Sequence, residues 1–340
     1  MSQFFIRDSN LSPDFIESNK LFDELYQKSS QKVEYDGIIA MDTYVLVDAL
    51  KILGDTQARG VNFSANIDKR CDCPQAIYTL LNEVDRPVAY IKADRKGILG
   101  DLLFAVMQKA LGFSPSKYWG RLSQEVLMKN LNEKHILMDM KDKEIQNSLE
   151  ALNFAGRIKS SEENVDYLHI NDTNFAGAKS NLFVDHEIQS ATEIANDGTV
   201  TRKLTINYKN PHKHSNCSLE ESEILGVGGL CINATLRNWL RVYVPEGSKL
   251  VSFNGSEKKT LTYDDLGKTV FEGFLGVQPM GKATVTIEYT LPFKVENKNE
   301  YRLIVQKQPG TAGHEFAATL NGKKIIDSKL TRDLSYSGKK

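Results

Sequence analysis

The sequence predicts an α+β protein of two domains. Residues 1–164 read as an α/β layered domain that lacks part of its sheet, and residues 165–340 as an antiparallel β-sandwich of Ig-like type. Three observations carry this reading. Before Val165, apolar residues recur at helical spacing between short apolar runs. After Ser190, they alternate with period two and show no helical stripe. Turn dipeptides, Asp197-Gly198 and Asn321-Gly322, punctuate those alternating runs. The junction between the two regimes is Val165 to Ser190, VDYLHINDTNFAGAKSNLFVDHEIQS.

In the first half, Ser12-Pro13-Asp14 predicts a helix start, with a capping hydroxyl, proline and an acid. Phe15, Phe22, Leu25 and Tyr26 continue at helical spacing. A strand is expected from Val33 to Met41, and its apolar run suggests burial on both faces. Leu46, Ala49, Leu50 and Leu53 predict a helix closed by Gly54. Pro74 opens another, with Ile77, Leu80, Leu81 and Val84 on one stripe. The helix Asp94 to Leu111 is expected to bury Leu99, Leu102, Leu103, Val106 and Ala110. Trp119, Leu122 and Val126 predict a further helix. A short strand at His135 to Met138 and a helix from Asp142 to Leu152 complete this half.

In the second half, Val200, Arg202, Leu204, Ile206 and Tyr208 share one face of a strand, with Arg202 expected beyond the core edge. Leu240, Val242 and Val244 repeat the alternation, as do Val285, Ile287 and Tyr289, and Tyr301, Leu303 and Val305. Asn321-Gly322 is the strongest hairpin signal in the chain.

The totals narrow the function classes. The 340 residues suit about two domains of roughly 100–200 residues each. With 41% hydrophobic and 26% charged residues, there is apolar material for two cores. A formal net charge of −1 gives no field favouring nucleic acid or an anionic membrane. No apolar run reaches the roughly 18–20 residues of a membrane span, and the first ten residues lack the pattern of a signal peptide. No nucleic-acid partner is expected, because the aromatics do not interleave with basic runs.

Four cysteines are present. Cys71-Asp-Cys73 has the wrong spacing for a metal pair. Cys217 and Cys231 flank the loop Gly226-Val-Gly-Gly, and a disulfide between them would imply an oxidising compartment; free thiols are the alternative. Asp94-Arg95-Lys96 is an anion-binding candidate at a helix start, through Arg95 and Lys96, set against a solvated first turn. Asp172, Asn174 and Lys179 are polar candidates for a site between the domains, set against simple caps and turns. His212, His214 and Cys217 lack a matched partner pair, so no metal site is expected. No cofactor is expected either.

Several segments together resemble a bacterial family known only as domain of unknown function 4012. They are NLSPDF (Asn10 to Phe15), YDGIIAMD (Tyr35 to Asp42), DRKGILGDLLFAVMQKAL (Asp94 to Leu111) and DYLHINDTNFAGAKSNL (Asp166 to Leu182). RNWLRVYVPEGSKL (Arg237 to Leu250) and YRLIVQKQPG (Tyr301 to Gly310) extend the resemblance through nearly the whole chain. It implies a cell-surface protein, on the extracellular face of the envelope, anchored through an upstream segment absent from this chain. A weaker similarity, in YDGIIAMDTYVLVDALKILGD and the helix after Arg95, is to the LytR-CpsA-Psr phosphotransferases. That family's second arginine and glutamine are missing here, leaving Asp94 and Arg95 as its catalytic candidates. The expected function is a binding or structural module of the cell envelope. The alternative is a phosphotransferase, or a binder of polyprenyl-phosphate-linked glycan, with Mg²⁺ only in that case.

Overall fold

In the computed structural model, the described residues are 5–85, 97–112, 115–160, 162–175, 178–213, 232–297 and 300–338. Helices dominate up to about residue 152 and strands dominate after residue 165.

The helical part opens with α1 (Phe15–Tyr26). Its cap is Asp14, whose carboxylate accepts from the Ile16 and Glu17 amides, so the acid of Ser-Pro-Asp caps the helix in place of the serine. Strand β1 (Gly37–Met41) follows, then α2 (Thr43–Leu53), capped by Asp42 and closed by Gly54 at φ +76°. Two small hairpins come next: β2 (Thr56–Ala58) with β3 (Val61–Phe63), and β4 (Ile67–Asp68) with β5 (Cys73–Pro74). After them run α3 (Gln75–Asp85), α4 (Gly97–Gly112), α5 (Pro115–Arg121), a π-helical stretch (Leu122–Met128) and α6 (Lys129–Asn132). Strand β6 (Ile136–Met140) pairs with β1 in a two-stranded antiparallel sheet, and α7 (Lys143–Ala151) closes this part. Among the described residues, no single helix is long and apolar enough to cross a membrane.

The buried face of α4 differs from expectation. Ile98 and Leu102 face the core with Leu50, Phe63 and Leu80, whereas Leu99 is 41% exposed and Leu103 50% exposed. The reason lies in composition: GILGDLLFAVMQKALG is apolar on nearly every side, so periodicity could not fix which stripe packs.

The strand part contains β7 (Asp166–Asn174), β8 (Asp185–Ile194), β9 (Thr199–Lys209), β10 (Leu236–Pro245), β11 (Lys249–Asn254) and β12 (Leu261–Asp265). It continues with β13 (Lys268–Val277), β14 (Lys282–Lys294), β15 (Arg302–Gln306), β16 (Glu315–Leu320), β17 (Lys323–Lys329) and β18 (Leu334–Ser337). They form two six-stranded sheets, ordered β12-β13-β10-β7-β15-β18 and β11-β14-β9-β8-β16-β17. The inward residues of both sheets join one apolar cluster that includes Leu168, Ile188, Leu204, Val242, Ile287 and Leu303. Asn321 and Gly322, both at positive φ, make the expected hairpin between β16 and β17.

The sheets are not wholly antiparallel, which corrects the expected topology. β15 runs parallel to β7, and β16 runs parallel to β8. The cause is the path of the chain: β7 to β8 crosses from the first sheet to the second, and β15 to β16 makes the same crossing beside it. Arg202 is a second correction. It is fully buried, not beyond the core edge.

The helical part covers the outer face of the first sheet. Ile158 packs with Tyr167, Tyr243 and Val270 there. Arg241 donates to the Leu11 carbonyl at 2.7 Å and to Asn171 Oδ1 at 2.6 Å. Cys71 and Cys73 form a disulfide, buried with Phe183 and Ile232.

Candidate functional site

A cavity of about 1370 Å³ lies where the helical part meets one end of the two sheets. Thr43 and Tyr44 at the start of α2 wall one side, with the Cys73–Pro74 hairpin beside them. The opposite wall comes from the end of β7, the start of β8 and the loop before β16. Asp172, Asn174 and Lys179, the polar candidates at the junction, all line it.

Strand register builds the centre of this wall. His186 on β8 lies opposite Tyr208 on β9, and their rings meet edge to face at 4.6 Å. Glu315 pairs with Glu187 in the parallel β16–β8 ladder, so His314 arrives beside His186. The two imidazoles stack at 4.3 Å with planes 14° apart. Asp172 reaches the same point from β7 in the other sheet. One ligand atom each from Asp172, His186 and His314 lies within 4.8 Å of the other two.

The Asp172 carboxylate is held from behind. Its Oδ1 accepts from the Tyr208 hydroxyl at 2.8 Å and from Asn238 Nδ2. Gln308 clamps the backbone of the same residue, accepting from its amide and donating to its carbonyl, both at 2.9 Å. The other oxygen, Oδ2, is buried 3.4 Å from His186 Nδ1, yet the two atoms are not aligned as a hydrogen bond. Both are buried polar atoms without a hydrogen-bond partner, which ordinarily costs about 1–3 kcal/mol for each group. Burial pushes the His186 imidazole down to about 4. His314 is pushed down to about 3, by burial first and then by His186. Burial also raises the Asp172 carboxyl above its usual value. At neutral pH both imidazoles are therefore uncharged, with lone pairs available to an electrophile.

The remaining sequence candidates fall elsewhere. Asp94, Arg95 and Lys96 lie outside the described residues, as do Cys217 and Cys231. His212 sits 3.9 Å from Asp72, apart from the His186–His314 pair, while His214 is outside the described residues. Sequence reasoning did not select His186 or His314. Only the parallel pairing of β16 with β8 brings them together, and no local motif encodes a partnership over that distance.

Comparison with known proteins bears on the family. Residues 1–69 match the family described as protein of unknown function (DUF4012). The family resemblance holds over that segment. Similarity to the LytR-CpsA-Psr phosphotransferases is not shown. No curated protein matches the chain. Among solved structures, a Legionella pneumophila protein provisionally described as nutrient-binding aligns at 8% identity and TM-score 0.27. That alignment covers 46% of this chain and 54% of the other. An M1 zinc metallopeptidase from Deinococcus radiodurans, bound to a Tyr-Ser-Ala substrate, aligns at 7% identity and TM-score 0.20. It covers 41% of this chain and 32% of the peptidase. The chain thus spans about half the length of the first protein and a third of the second. At such TM-scores these likenesses carry no functional argument.

Proposed function

We propose that this chain is a binding module of the cell envelope, displayed on the extracellular face, and that it takes its ligand in the cavity just described. In this reading residues 1–164 and 165–340 are two domains, the second an Ig-like sandwich, and the cavity lies between them. The observation that carries the reading is the cavity's polar wall: Tyr44 offers a ring, Asn174 and Asn181 offer amides, and Asp185, Glu187 and Lys179 offer charges. Such a mixture suits a hydroxyl-rich ligand, and an envelope glycan is the class we assign. The Cys71–Cys73 disulfide supports the location, since disulfides persist in oxidising compartments. The phosphotransferase alternative rests on Asp94 and Arg95, and has no support among the described residues.

Titration calorimetry with soluble peptidoglycan fragments tests the proposal. Saturable binding is expected, and it should disappear in Ala312→Trp, which places a large ring at an exposed position on the cavity wall. Absence of binding to the folded protein, or binding unchanged in the variant, would overturn the reading.

A further inference from the structure

We propose that Asp172, His186 and His314 form a binding site for one divalent transition-metal ion of the zinc class, open on one side to the cavity. The inference rests on the cavity reading for the ion's purpose, but its evidence is separate. Two imidazoles and one carboxylate are a donor set that such ions accept. Tetrahedral bonds of about 2.0–2.1 Å place neighbouring donors roughly 3.4 Å apart. The Asp172 Oδ2 to His186 Nδ1 separation is already 3.4 Å.

The satisfied and unsatisfied atoms divide as a metal site requires. Asp172 Oδ1 is fully engaged by Tyr208 and Asn238, which orients the carboxylate. Asp172 Oδ2 and His186 Nδ1 are buried, adjacent and without a hydrogen-bond partner, although the His186 side chain is only 9% exposed. A cation between them removes both deficits at once. Without an ion, the carboxylate oxygen and the imidazole nitrogen stay buried and unpaired beside the stacked rings. All three residues line the cavity, so a fourth coordination position faces the space where a ligand sits. Tyr208 and Asn238 act as positioning residues.

The test uses the tag-free, metal-stripped full chain dialysed against zinc chloride, with elemental analysis of bound zinc. One equivalent is expected, with a rise in melting temperature over the metal-free protein. Cobalt(II) in its place should give the visible absorption of a low-symmetry site. His314→Ala, in the loop before β16, should lose stoichiometric binding while the metal-free protein still melts cooperatively. His186→Asn should do the same; if it fails to fold, His314→Ala decides alone. Tyr208→Phe should keep one equivalent but bind roughly ten- to a hundredfold more weakly. Zinc well below one equivalent, or undiminished in His314→Ala, overturns the site. Zinc binding without any glycan binding would remove the proposed function and leave the ion site standing. The reverse result would remove the ion site alone.

Discussion

Arg202 is the charge that the core has most work to accommodate. It sits on β9 between Thr192 of β8 and Tyr289 of β14, its register partners on the two sides. Its Nη2 donates to Asp166 and to the Tyr301 hydroxyl at 2.7 Å, while Nη1 reaches Tyr289 Oη at 3.3 Å. Tyr301 also donates to Asp166 Oδ2 at 2.6 Å. Burial works against the guanidinium charge, but Asp166, with Tyr289 and Tyr301 behind it, outweighs burial and keeps Arg202 protonated. Desolvating both ions costs several kcal/mol each, so the pair tolerates burial only while both partners remain. Asp166→Ala should therefore destabilise by about 3–5 kcal/mol in urea unfolding, and the double change Asp166→Leu with Arg202→Met by clearly less. A single variant within about 1 kcal/mol of the parent would contradict this account. Strand periodicity placed Arg202 on the inward face, and the charge argued it out to the edge. The aromatic hydroxyls that overrule the charge come from distant strands, so the sequence around Arg202 holds no sign of them.

Between elements, Asp333 plays the corresponding part. It lies between β17 and β18 and fastens the sheets to the helical part. Lys134, just before β6, reaches it at 2.8 Å, and Lys159 and Asn153 reach it at 3.0 Å. The Lys307 amide donates to it at 2.9 Å. The Lys134 side chain is 0% exposed, so losing the carboxylate strands a buried ammonium. Asp333→Ala should cost about 3 kcal/mol or more. The exposed Lys324–Asp327 pair is the control, where Asp327→Ala should cost under about 1 kcal/mol. Equal shifts in unfolding midpoint would show that Asp333 is no anchor. Element types were largely legible: the helix start at Ser12-Pro13-Asp14, though not which residue caps it, the stop at Gly54, the Asn321-Gly322 hairpin and the alternation of β9 all follow from local chemistry. Pairing was not legible. The parallel β16–β8 ladder is set by how the chain crosses between sheets, and with it went half of the candidate site. Asp172, Asn174 and Lys179 were visible because they sit together at the junction; His186 and His314 were not.

At the scale of the whole molecule, acid stability brings these features together. His169, on β7, has no exposed surface and packs between the first sheet and the helical part. Its Nδ1 lies 3.0 Å from the Gln306 carbonyl, so that nitrogen carries the proton, and buried Nε2 has no hydrogen-bond partner. Burial pushes the imidazole down to about 4, with the Gln306 carbonyl pulling the other way and Lys134 and Arg241 adding to the depression. The folded state thus resists protonation that the unfolded chain accepts near pH 6.5. Stability attributable to His169 is complete above about pH 6.5 and falls as the pH drops towards 4, by on the order of 3 kcal/mol. Asp333 acts in a lower window. Burial opposes its charge, yet Lys134, Lys159 and the Lys307 amide hold it down to about 2, so its contribution is lost only between about pH 4 and 2. Urea midpoints measured from pH 7 to 4 should fall in the parent protein. In His169→Gln, which can still donate to Gln306 but cannot take up a proton, that slope should become shallower by one histidine's share, since the depressed His186 and His314 titrate over the same window, while any steeper loss below pH 4 persists. An unchanged slope in His169→Gln would mean that some other group binds the protons, and that His169 charges in the folded state without cost.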